Sequence, residues 1–413
     1  MSIIKDISLS ESGHEKINWV KCYMPVLRSI EEEFRKTKPF AGKKIAMSIH
    51  LEAKTAYLAT VLRAGGAEVY STGCNPLSTQ DDVAAALSAL DVNVFAIHRV
   101  DEDTYRSHLA AALSCHPDAI IDDGGDFIEL LHGECRAYGD RLIGGCEETT
   151  TGIHRLRQRE ASGTLDYTMI DINDADCKHL FDNRYGTGQS TLDAIMHATN
   201  LVIAGKRAVV AGYGWCGKGI AKRLAGMGAL VTVTEIDPVR ALEATMDGFT
   251  VMKMDEAAPI GDLFITATGC EDVITKRHFE KMKDGVLLAN SGHFNVEIKK
   301  SDLLELCISH QKRKPNIEGF VMSDGRILNL MADGRLVNLA AGNGHPAEIM
   351  DMSFALQAKS LEYLVNHPGL AHKLYPVPKE TDIAVAQRKL EKMDISIDRL
   401  TPEQKRYLGI VCH

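Results

Sequence analysis

The feature that most restricts the fold of this chain is a glycine-rich loop between a short apolar stretch and a helical one. Residues 209–219 read VVAGYGWCGKG, in which Gly212, Gly214 and Gly217 give the spacing G-x-G-x-x-G. These glycines permit, in order, a tight turn, the close approach of a pyrophosphate to the backbone, and close packing of the helix. Free N–H groups at the start of that helix favour phosphate. Residues 206–237 therefore predict a strand–loop–helix–strand unit that binds a dinucleotide.

An acidic residue selects between the two nicotinamide dinucleotides. The strand that follows the helix ends at Glu235, 18 residues beyond Gly217. A carboxylate at this point accepts hydrogen bonds from the ribose hydroxyls and repels a 2′-phosphate, so that NAD is favoured over NADP. The alternative is a glycine-rich turn without a ligand, and the complete context of strand, helix and carboxylate disfavours it.

Strand-like and helical stretches alternate in two regions of the chain. The first has strands at 43–49, 67–70, 92–97 and 119–121, with a helix over about 52–65. The second spans roughly 205–295, with strands at 208–211, 230–234, 263–266 and 286–289. Such alternation is typical of parallel sheets covered by helices. We predict an α/β protein with two doubly wound, Rossmann-like domains, the second inserted into the first, and a helical C-terminal segment from about residue 350.

The composition excludes several classes of partner. The 413 residues carry a formal net charge of −9, which argues against a nucleic-acid footprint and against a polybasic membrane surface. No apolar run approaches the roughly 20 residues that cross a bilayer, and the N-terminal residues lack the layout of a secretory signal. The ten cysteines form no CxxC pair. We therefore expect a cytoplasmic protein with reduced thiols, mostly in the core, and no metal site.

Polar side chains gather where ligands bind in open α/β sheets, beyond the carboxyl ends of strands. Each of them alone has an ordinary structural explanation, such as a helix cap or a solvated charge. Their clustering at strand ends and at the crossings between the domains favours a functional site. The residues are His50, Cys74, Asn75, Asp122, Asp123, Glu147, Glu148, Lys178, Asp182, Asn183, His293 and His345.

Several longer motifs follow one another in a fixed order. They are NPLSTQD at 75–81, DDGGD at 122–126, EETTTG at 147–152, FDNRYG at 181–186, GYGWCGKG at 212–219, SGHF at 291–294 and DGRLVNLAAGNGHP at 333–346. In these motifs the chain resembles the S-adenosylhomocysteine hydrolases, from about residue 14 to 410. Several blocks are too long and unusual for a generic dehydrogenase.

The resemblance implies a hydrolysis that proceeds through a transient oxidation. Bound NAD oxidises the 3′-OH of the substrate ribose to a ketone, which acidifies the hydrogen on C4′. A base removes that hydrogen, homocysteine leaves from C5′, water adds, and the ketone is reduced again. A thioether carbon is a poor target for direct attack by water, and this route needs a hydride acceptor and several acid–base groups in one crevice.

The resemblance also implies roles for single residues, carried over by motif. Lys178 and Asp182 serve the 3′-OH, Asp123 acts on the C4′ hydrogen, His50 assists at C5′, and His293 lies near the reacting sugar. The expected substrate-binding residues are Glu52, Lys54, Thr55, Glu148, Thr149, His345 and Met350. The expected NAD-binding residues are Thr149, Thr150, Thr151, Asn183, Gly212, Gly214, Gly217, Glu235, Asn290 and Asn338. The domains expected are 1–185 for the first part of the substrate-binding domain, 186–345 for the NAD-binding domain and 346–413 for the return.

One stretch departs from the family pattern where the purine base is contacted. The family commonly has His-x-Thr-x-Glu or His-x-Thr-x-Gln, whereas residues 50–55 read HLEAKT. Lys54 is a donor only, which suits O6 of hypoxanthine, and Glu52 suits its N1–H. We predict that S-inosylhomocysteine is a substrate. The alternative is that Glu52 and Lys54 are solvated charges of a first helical turn, since side chains at i and i+2 of a helix diverge.

The C-terminal end and the assembly are further expectations from the resemblance. Longer family members carry an additional tail that reaches the NAD of a neighbouring subunit, whereas this sequence ends YLGIVCH. We expect weaker or differently arranged retention of NAD, and a homotetramer. Two other functions stay open on the sequence. A plain NAD-dependent dehydrogenase would accumulate NADH, and a non-catalytic NAD-binding relative would turn over nothing.

Overall fold

The computed structural model describes residues 2–410, and its strands form two sheets of eight. The strands are β1 (Ile3–Ile4), β2 (Lys44–Ser48), β3 (Glu68–Thr72), β4 (Asn93–Ala96), β5 (Ala119–Asp122), β6 (Gly144–Glu147), β7 (Met169–Asp171), β8 (Arg207–Ala211), β9 (Leu230–Thr234), β10 (Thr250–Val251), β11 (Leu263–Thr266), β12 (Leu287–Asn290), β13 (Cys307–Lys314), β14 (Ile317–Met322), β15 (Ile327–Met331) and β16 (Leu374–Pro376). The prediction of two doubly wound α/β units is confirmed.

Helices separate most of these strands. They are α1 (Ser10–Cys22), α2 (Pro25–Thr37), α3 (Ala53–Ala64), α4 (Asp81–Ala89), α5 (Glu102–Leu113), α6 (Asp126–His132), α7 (Thr150–Ala161), α8 (Asp176–Lys178), α9 (Thr187–Thr199), α10 (Trp215–Gly226), α11 (Pro238–Met246), α12 (Met254–Ala257), α13 (Lys276–Phe279), α14 (Lys300–Leu306), α15 (Val337–Ala340), α16 (Ala347–Asn366), α17 (Lys379–Lys392) and α18 (Pro402–Tyr407). A π-helix, His179–Gly186, joins α8 to α9. Among the helices of residues 2–410, none is both long and apolar enough to cross a membrane.

The first sheet is parallel throughout, in the order β1-β4-β3-β2-β5-β6-β7-β16. Its strand order reverses between β2 and β5, which places a ligand crevice at the carboxyl ends of these two strands. Ile45 and Met47 of β2 face one core cluster and Ala46 faces another. Burial on both faces explains why the central strands β2 and β5, which read KIAMS and AIID, are mainly apolar in sequence.

The second sheet has the order β10-β9-β8-β11-β12-β15-β14-β13 and reverses between β8 and β11, where the glycine loop begins. Its first six strands are parallel, but β15-β14-β13 is antiparallel, a feature that the sequence prediction missed. After this sheet the chain returns to the first one, because β16 pairs with β7. The predicted helical C-terminal segment is confirmed in α16, α17 and α18, and Met352, Leu356 and Leu364 of α16 are buried.

Candidate active site

A histidine cluster, formed by His50, Cys74, Asp123 and His293, lies at the reversal point of the first sheet. His50 follows β2 and Asp123 follows β5, and these strands are neighbours. The Nε2 atom of His50 is 3.7 Å from Oδ2 of Asp123. His293 follows β12 of the other sheet, and its Nδ1 atom is 3.9 Å from Oδ1 of Asp123. Both sheets therefore contribute to this cluster.

The close approach of the two sheets depends on a glycine in the DDGGD motif. Gly124 has φ +113°, a conformation that side chains disfavour. A Cβ atom at this position would lie 2.5 Å from Nε2 of His293. The glycine therefore allows the turn after β5 to pass directly under the histidine ring.

The hydrogen bonds of His50 fix its tautomer. The hydroxyl of Ser78 donates to the carbonyl of Asn75 at 3.0 Å, so its oxygen is left to accept from Nδ1–H of His50 at 2.6 Å. Burial lowers the pKa of His50 to about 4, against the opposing effect of Asp123. A neutral ring protonated on Nδ1 presents the lone pair of Nε2 towards Asp123.

A lysine cluster, formed by Glu148, Lys178, Asp182 and Asn183, lies beside α16. The Nζ atom of Lys178 is 2.9 Å from Oδ2 of Asp182, 3.1 Å from Oε1 of Glu148 and 3.0 Å from Oδ1 of Asn183. Asp182 and Asn183 belong to the π-helix, whose extra residue per turn is frequent at functional sites. Gly219 lets α10 pack on this π-helix, since a Cβ there would meet the carbonyl of Arg184. The glycine loop is therefore next to the cluster.

Burial and charge set the protonation of the lysine cluster. Burial alone would lower the pKa of Lys178, but Asp182 and Glu148 raise it well above its usual value. Burial opposes ionisation of Asp182, yet Lys178 and His345 hold its pKa far below the usual range. Burial raises the pKa of Glu148 to about 7, although Lys178 works in the other direction. At neutral pH the cluster thus holds a charged lysine, an ionised aspartate and a glutamate close to its titration midpoint.

Residues from the returning chain support this cluster, and the sequence prediction named only one of them. His345 contacts Oδ1 of Asp182 through Nδ1 at 2.6 Å. Ser353 donates to Oδ2 of Asp182, and Gln357 donates to Oε2 of Glu148, both at 2.6 Å. Ser353 and Gln357 are four residues apart on helix α16 and both are fully buried, and a polar pair at this spacing among the apolar residues 352–358 was the signal that could have revealed them. Cys74 was noted only as a strand-end residue.

The predicted base-contacting pair is buried, so the alternative of solvated charges is wrong. Nζ of Lys54 lies 2.7 Å from Oε2 of Glu52, and their side chains are only 7 % and 6 % exposed. Lys54 Nζ also donates to the carbonyl of Asn343 at 3.1 Å. The two side chains meet because Glu52 is the extended N-cap of α3 and not a helical residue. Thr55, the next residue in α3, is buried with no partner for Oγ1 within residues 2–410, and Met350 of α16 is also buried.

The glycine loop has the features that a bound dinucleotide requires. Gly212 has φ +93°, and a Cβ at Gly214 would meet no protein atom closer than 3.8 Å, so the space in front of the loop is open. Glu235 accepts hydrogen bonds from the backbone N–H groups of Tyr213 and Ile236, both at 2.7 Å. Its carboxylate is therefore fixed at the end of β9, beside the loop. Asn338 donates to Ser190, while its buried Oδ1 has no partner among residues 2–410. These residues fit NAD.

The other predicted NAD-binding residues lie around the same crevice. Thr149 is the N-cap of α7 and donates its N–H to Glu147 at 3.0 Å, and Thr150 donates to Asn173 at 3.1 Å. Thr151 occupies the first turn of α7. The side chain of Asn290 is engaged within the protein, with the two donors of Nδ2 shared among the carbonyls of residues 292, 294 and 334, all within 3.1 Å. It shapes the loop that carries His293.

Comparisons with known proteins agree with this arrangement. Residues 2–142 match the family described as S-adenosyl-L-homocysteine hydrolase, and residues 183–344 match its NAD binding domain. An adenosylhomocysteinase of Aquifex aeolicus is 54% identical, with 98% of each chain covered. An S-inosyl-L-homocysteine hydrolase of Methanococcus maripaludis is 53% identical, with 99% of each chain covered. Since relatives of both names are about equally similar, overall identity does not distinguish the purine base.

Proposed function

Because this chain belongs to the S-adenosyl-L-homocysteine hydrolase family, we propose that it hydrolyses a purine nucleoside thioether to homocysteine and the free nucleoside. The chain is an NAD-dependent hydrolytic enzyme. The observation that carries the assignment of the site is the lysine cluster next to the glycine loop, with the histidine cluster on the same crevice. When bound, NAD supplies the reversible oxidation of the ribose 3′ carbon.

The lysine cluster acts at the 3′-OH. The ammonium of Lys178, kept charged by Asp182 and Glu148, donates to the 3′ oxygen and stabilises the negative charge that develops there. Asp182 and Glu148 hold the ammonium in place. With a pKa of about 7, Glu148 is the member of the cluster able to take up and release a proton near neutral pH.

The histidine cluster acts at C4′ and C5′. Asp123 removes the proton from C4′, the C4′–C5′ double bond forms, and the C5′–S bond breaks. The sulfur takes up a proton and leaves as the thiol of homocysteine. Water then adds, with its oxygen on C5′ and a proton returned to C4′. His50 fits the transfer of protons at C5′, because its Nε2 lone pair is free.

Glu52 and Lys54 select hypoxanthine over adenine. Both contacts of Lys54 with Glu52 use Oε2, so Oε1 remains to accept from N1–H of the base. The ammonium of Lys54 has three donors, of which two go to Glu52 and to the carbonyl of Asn343. The third suits O6 of hypoxanthine, which accepts a hydrogen bond. The amino group of adenine is a donor and would face the ammonium of Lys54, which is also a donor. S-Inosylhomocysteine is therefore the preferred substrate.

The test is a paired assay on the purified protein with its NAD content measured. Release of the homocysteine thiol is followed with each nucleoside thioether while NADH absorbance is recorded. We expect thiol release without accumulation of NADH, and a higher kcat/KM for the inosyl substrate. Steady accumulation of NADH would identify a dehydrogenase instead, and thiol release from the adenosyl substrate alone would overturn the base preference.

The division into domains at residues 185/186 and 345/346, and the homotetramer, belong to the same proposal. Exposed apolar side chains on and beside α11, with Ile236 at 99% and Met246 at 77% exposure, support an assembly that covers them. Light scattering on the eluted protein measures the molar mass, and limited proteolysis locates the boundaries. A monomer in solution would contradict the tetramer.

A further inference from the structure

We propose that the histidine cluster is also a binding site for a thiophilic divalent cation such as Zn²⁺ or Cd²⁺. The cation would occupy the C5′ end of the crevice in the absence of the nucleoside thioether. Within residues 2–410, His50, Cys74 and Asp123 are the one group of three or more His, Cys, Asp and Glu side chains whose ligand atoms all lie within 4.8 Å of one another. All three residues are buried.

The separations within the cluster approach those of a tetrahedral zinc site. With Zn–S near 2.3 Å and Zn–N or Zn–O near 2.0–2.2 Å, two ligand atoms of a tetrahedron lie about 3.3–3.6 Å apart. Sγ of Cys74 is 3.4 Å from Oδ2 of Asp123, and Nε2 of His50 is 3.7 Å from the same oxygen. His293 lies outside this group of three, with its Nδ1 atom 3.9 Å from the other carboxylate oxygen of Asp123.

The orientation of the imidazole also suits a metal ligand. Nδ1 of His50 lies 2.6 Å from the hydroxyl of Ser78, which leaves Nε2 as the ring atom that faces the carboxylate of Asp123 at 3.7 Å. The hydroxyl of Ser78 orients the imidazole as the outer partner of a ligating histidine does. The thiol proton of Cys74 leaves when the metal binds.

No step of the proposed hydrolysis is assigned to Cys74, although its thiol donates to Oδ2 of Asp123. Asp123 and His50 are the residues proposed to act at C4′ and C5′, so a cation held between them excludes the substrate. This inhibitory consequence rests on the proposed function, whereas the site itself rests on geometry. A metal bound here is expected to raise KM for the nucleoside thioether and to leave kcat unchanged.

The experiment is a titration of the NAD-loaded protein with Cd²⁺, followed by the ultraviolet charge-transfer absorption of a cadmium–thiolate bond. We expect saturation at one equivalent per chain. The Cys74→Ser variant should lose this band and become at least about tenfold less sensitive to inhibition by Zn²⁺. The Cys135→Ser variant, which removes another buried cysteine, should behave like the wild type. An unchanged band in Cys74→Ser would overturn the proposal.

A second measurement does not depend on any variant. Crystals of the wild-type protein grown with Cd²⁺ should show an anomalous peak between Sγ of Cys74 and Nε2 of His50, and a peak at other cysteines only would refute the site. If the band and the peak are present but neither thioether is hydrolysed, the proposed function fails and the metal site stands. If a thioether is hydrolysed but no cadmium band develops, the proposed function stands and the metal site is refuted.

Discussion

Lys178 shows how a single buried charge depends on its neighbours. Two carboxylates and an amide oxygen surround its ammonium within 3.1 Å, so that removing it leaves two buried acids without their counter-ion. An unpaired buried charge costs about 3–5 kcal/mol. Its stabilising effect on a developing alkoxide is lost at the same time. Stability and catalysis therefore both change on substitution and must be measured separately.

We expect Lys178→Ala to lower kcat by at least about 100-fold, because donors aimed at developing charge supply that much. The bound NAD should stay, since Lys178 lies outside the glycine loop. The measurement is kcat together with NAD released by denaturation, and Lys276→Ala on an exposed lysine is the control. Turnover equal to that of the wild type would remove Lys178 from its assigned role.

The preference for one purine base should change when Glu52 and Lys54 are both replaced. In Glu52→Thr/Lys54→Gln, the amide oxygen can accept from the amino group of adenine, and the hydroxyl can donate to its N1. Threonine also serves as an N-cap for α3. We expect the ratio of kcat/KM for the adenosyl over the inosyl substrate to rise at least about tenfold. Competition between the two thioethers in one reaction measures this ratio directly. A ratio that does not change would show that the pair does not select the base.

The sequence could identify this pair but not its geometry. Residues at i and i+2 diverge within a helix, and this rule made solvated charges a fair alternative. The rule does not apply because Glu52 has φ −134° and ψ −179°, which turns its side chain back along α3 to reach Lys54. Local backbone conformation at a helix end is set by the packing of the whole crevice, so the motif alone could not predict it.

At the scale of elements, Glu147 connects two loops that carry site residues. Oε1 of Glu147 accepts from the N–H of Gly124 at 2.9 Å and from that of Thr149 at 3.0 Å. It thereby ties the turn after β5, which bears Asp123, to the start of α7. Burial, reinforced by Asp122 and Asp123, raises the pKa of Glu147 well above its usual value. Glu147 thus acts as a neutral positioning residue.

A neutral residue in this role can be replaced by its amide. Glu147→Gln keeps an acceptor for both N–H groups and should retain kcat within about threefold, whereas Glu147→Ala leaves two buried donors unpaired at about 1–3 kcal/mol each and should lose activity. The raised pKa means that the wild type loses stability as pH rises above about 4.5. The stability of Glu147→Gln relative to the wild type should therefore increase from about pH 5 to about pH 8 in denaturant titrations. The reverse trend would mean that Glu147 is ionised in the folded protein.

The accuracy of the sequence prediction differs among the elements for a physical reason. The strands β9 and β11 were predicted at their observed bounds, since both are largely buried and read LVTVT and LFIT, sequences rich in β-branched and apolar residues. The strand β13 was missed because it is an exposed edge strand with the sequence CISHQKRK, in which no apolar period exists. Likewise β6 reads GGCE, and glycine gives no strand signal.

At the scale of the whole molecule, the crevice is completed by residues from both sheets. His293 reaches Asp123 from the end of β12, and Lys54 of α3 donates to the carbonyl of Asn343 in the GNGHP segment. That segment also carries His345, which contacts Asp182. Strand-end motifs in the sequence predicted that these residues belong to one site. Which of them touch depends on how the two sheets meet, and local sequence does not encode this.

Lys54 on one side of the crevice donates to the carbonyl of Asn343 on the other. A purine bound at Lys54 is therefore expected to contact both sides. Inosine bound between them should slow amide hydrogen exchange in residues 342–345, because its base adds contacts beside the carbonyl of Asn343, which Lys54 already holds. In Lys54→Met this contact is absent, so that saturating inosine should protect the segment much less. Lys359→Met is the control and should match the wild type. Among the ion pairs of residues 2–410, the ammonium of Lys359 contacts only Glu33 and Glu362. If inosine protects residues 342–345 equally in Lys54→Met and the wild type, the base is read elsewhere and the two sides of the crevice are coupled by the ribose alone.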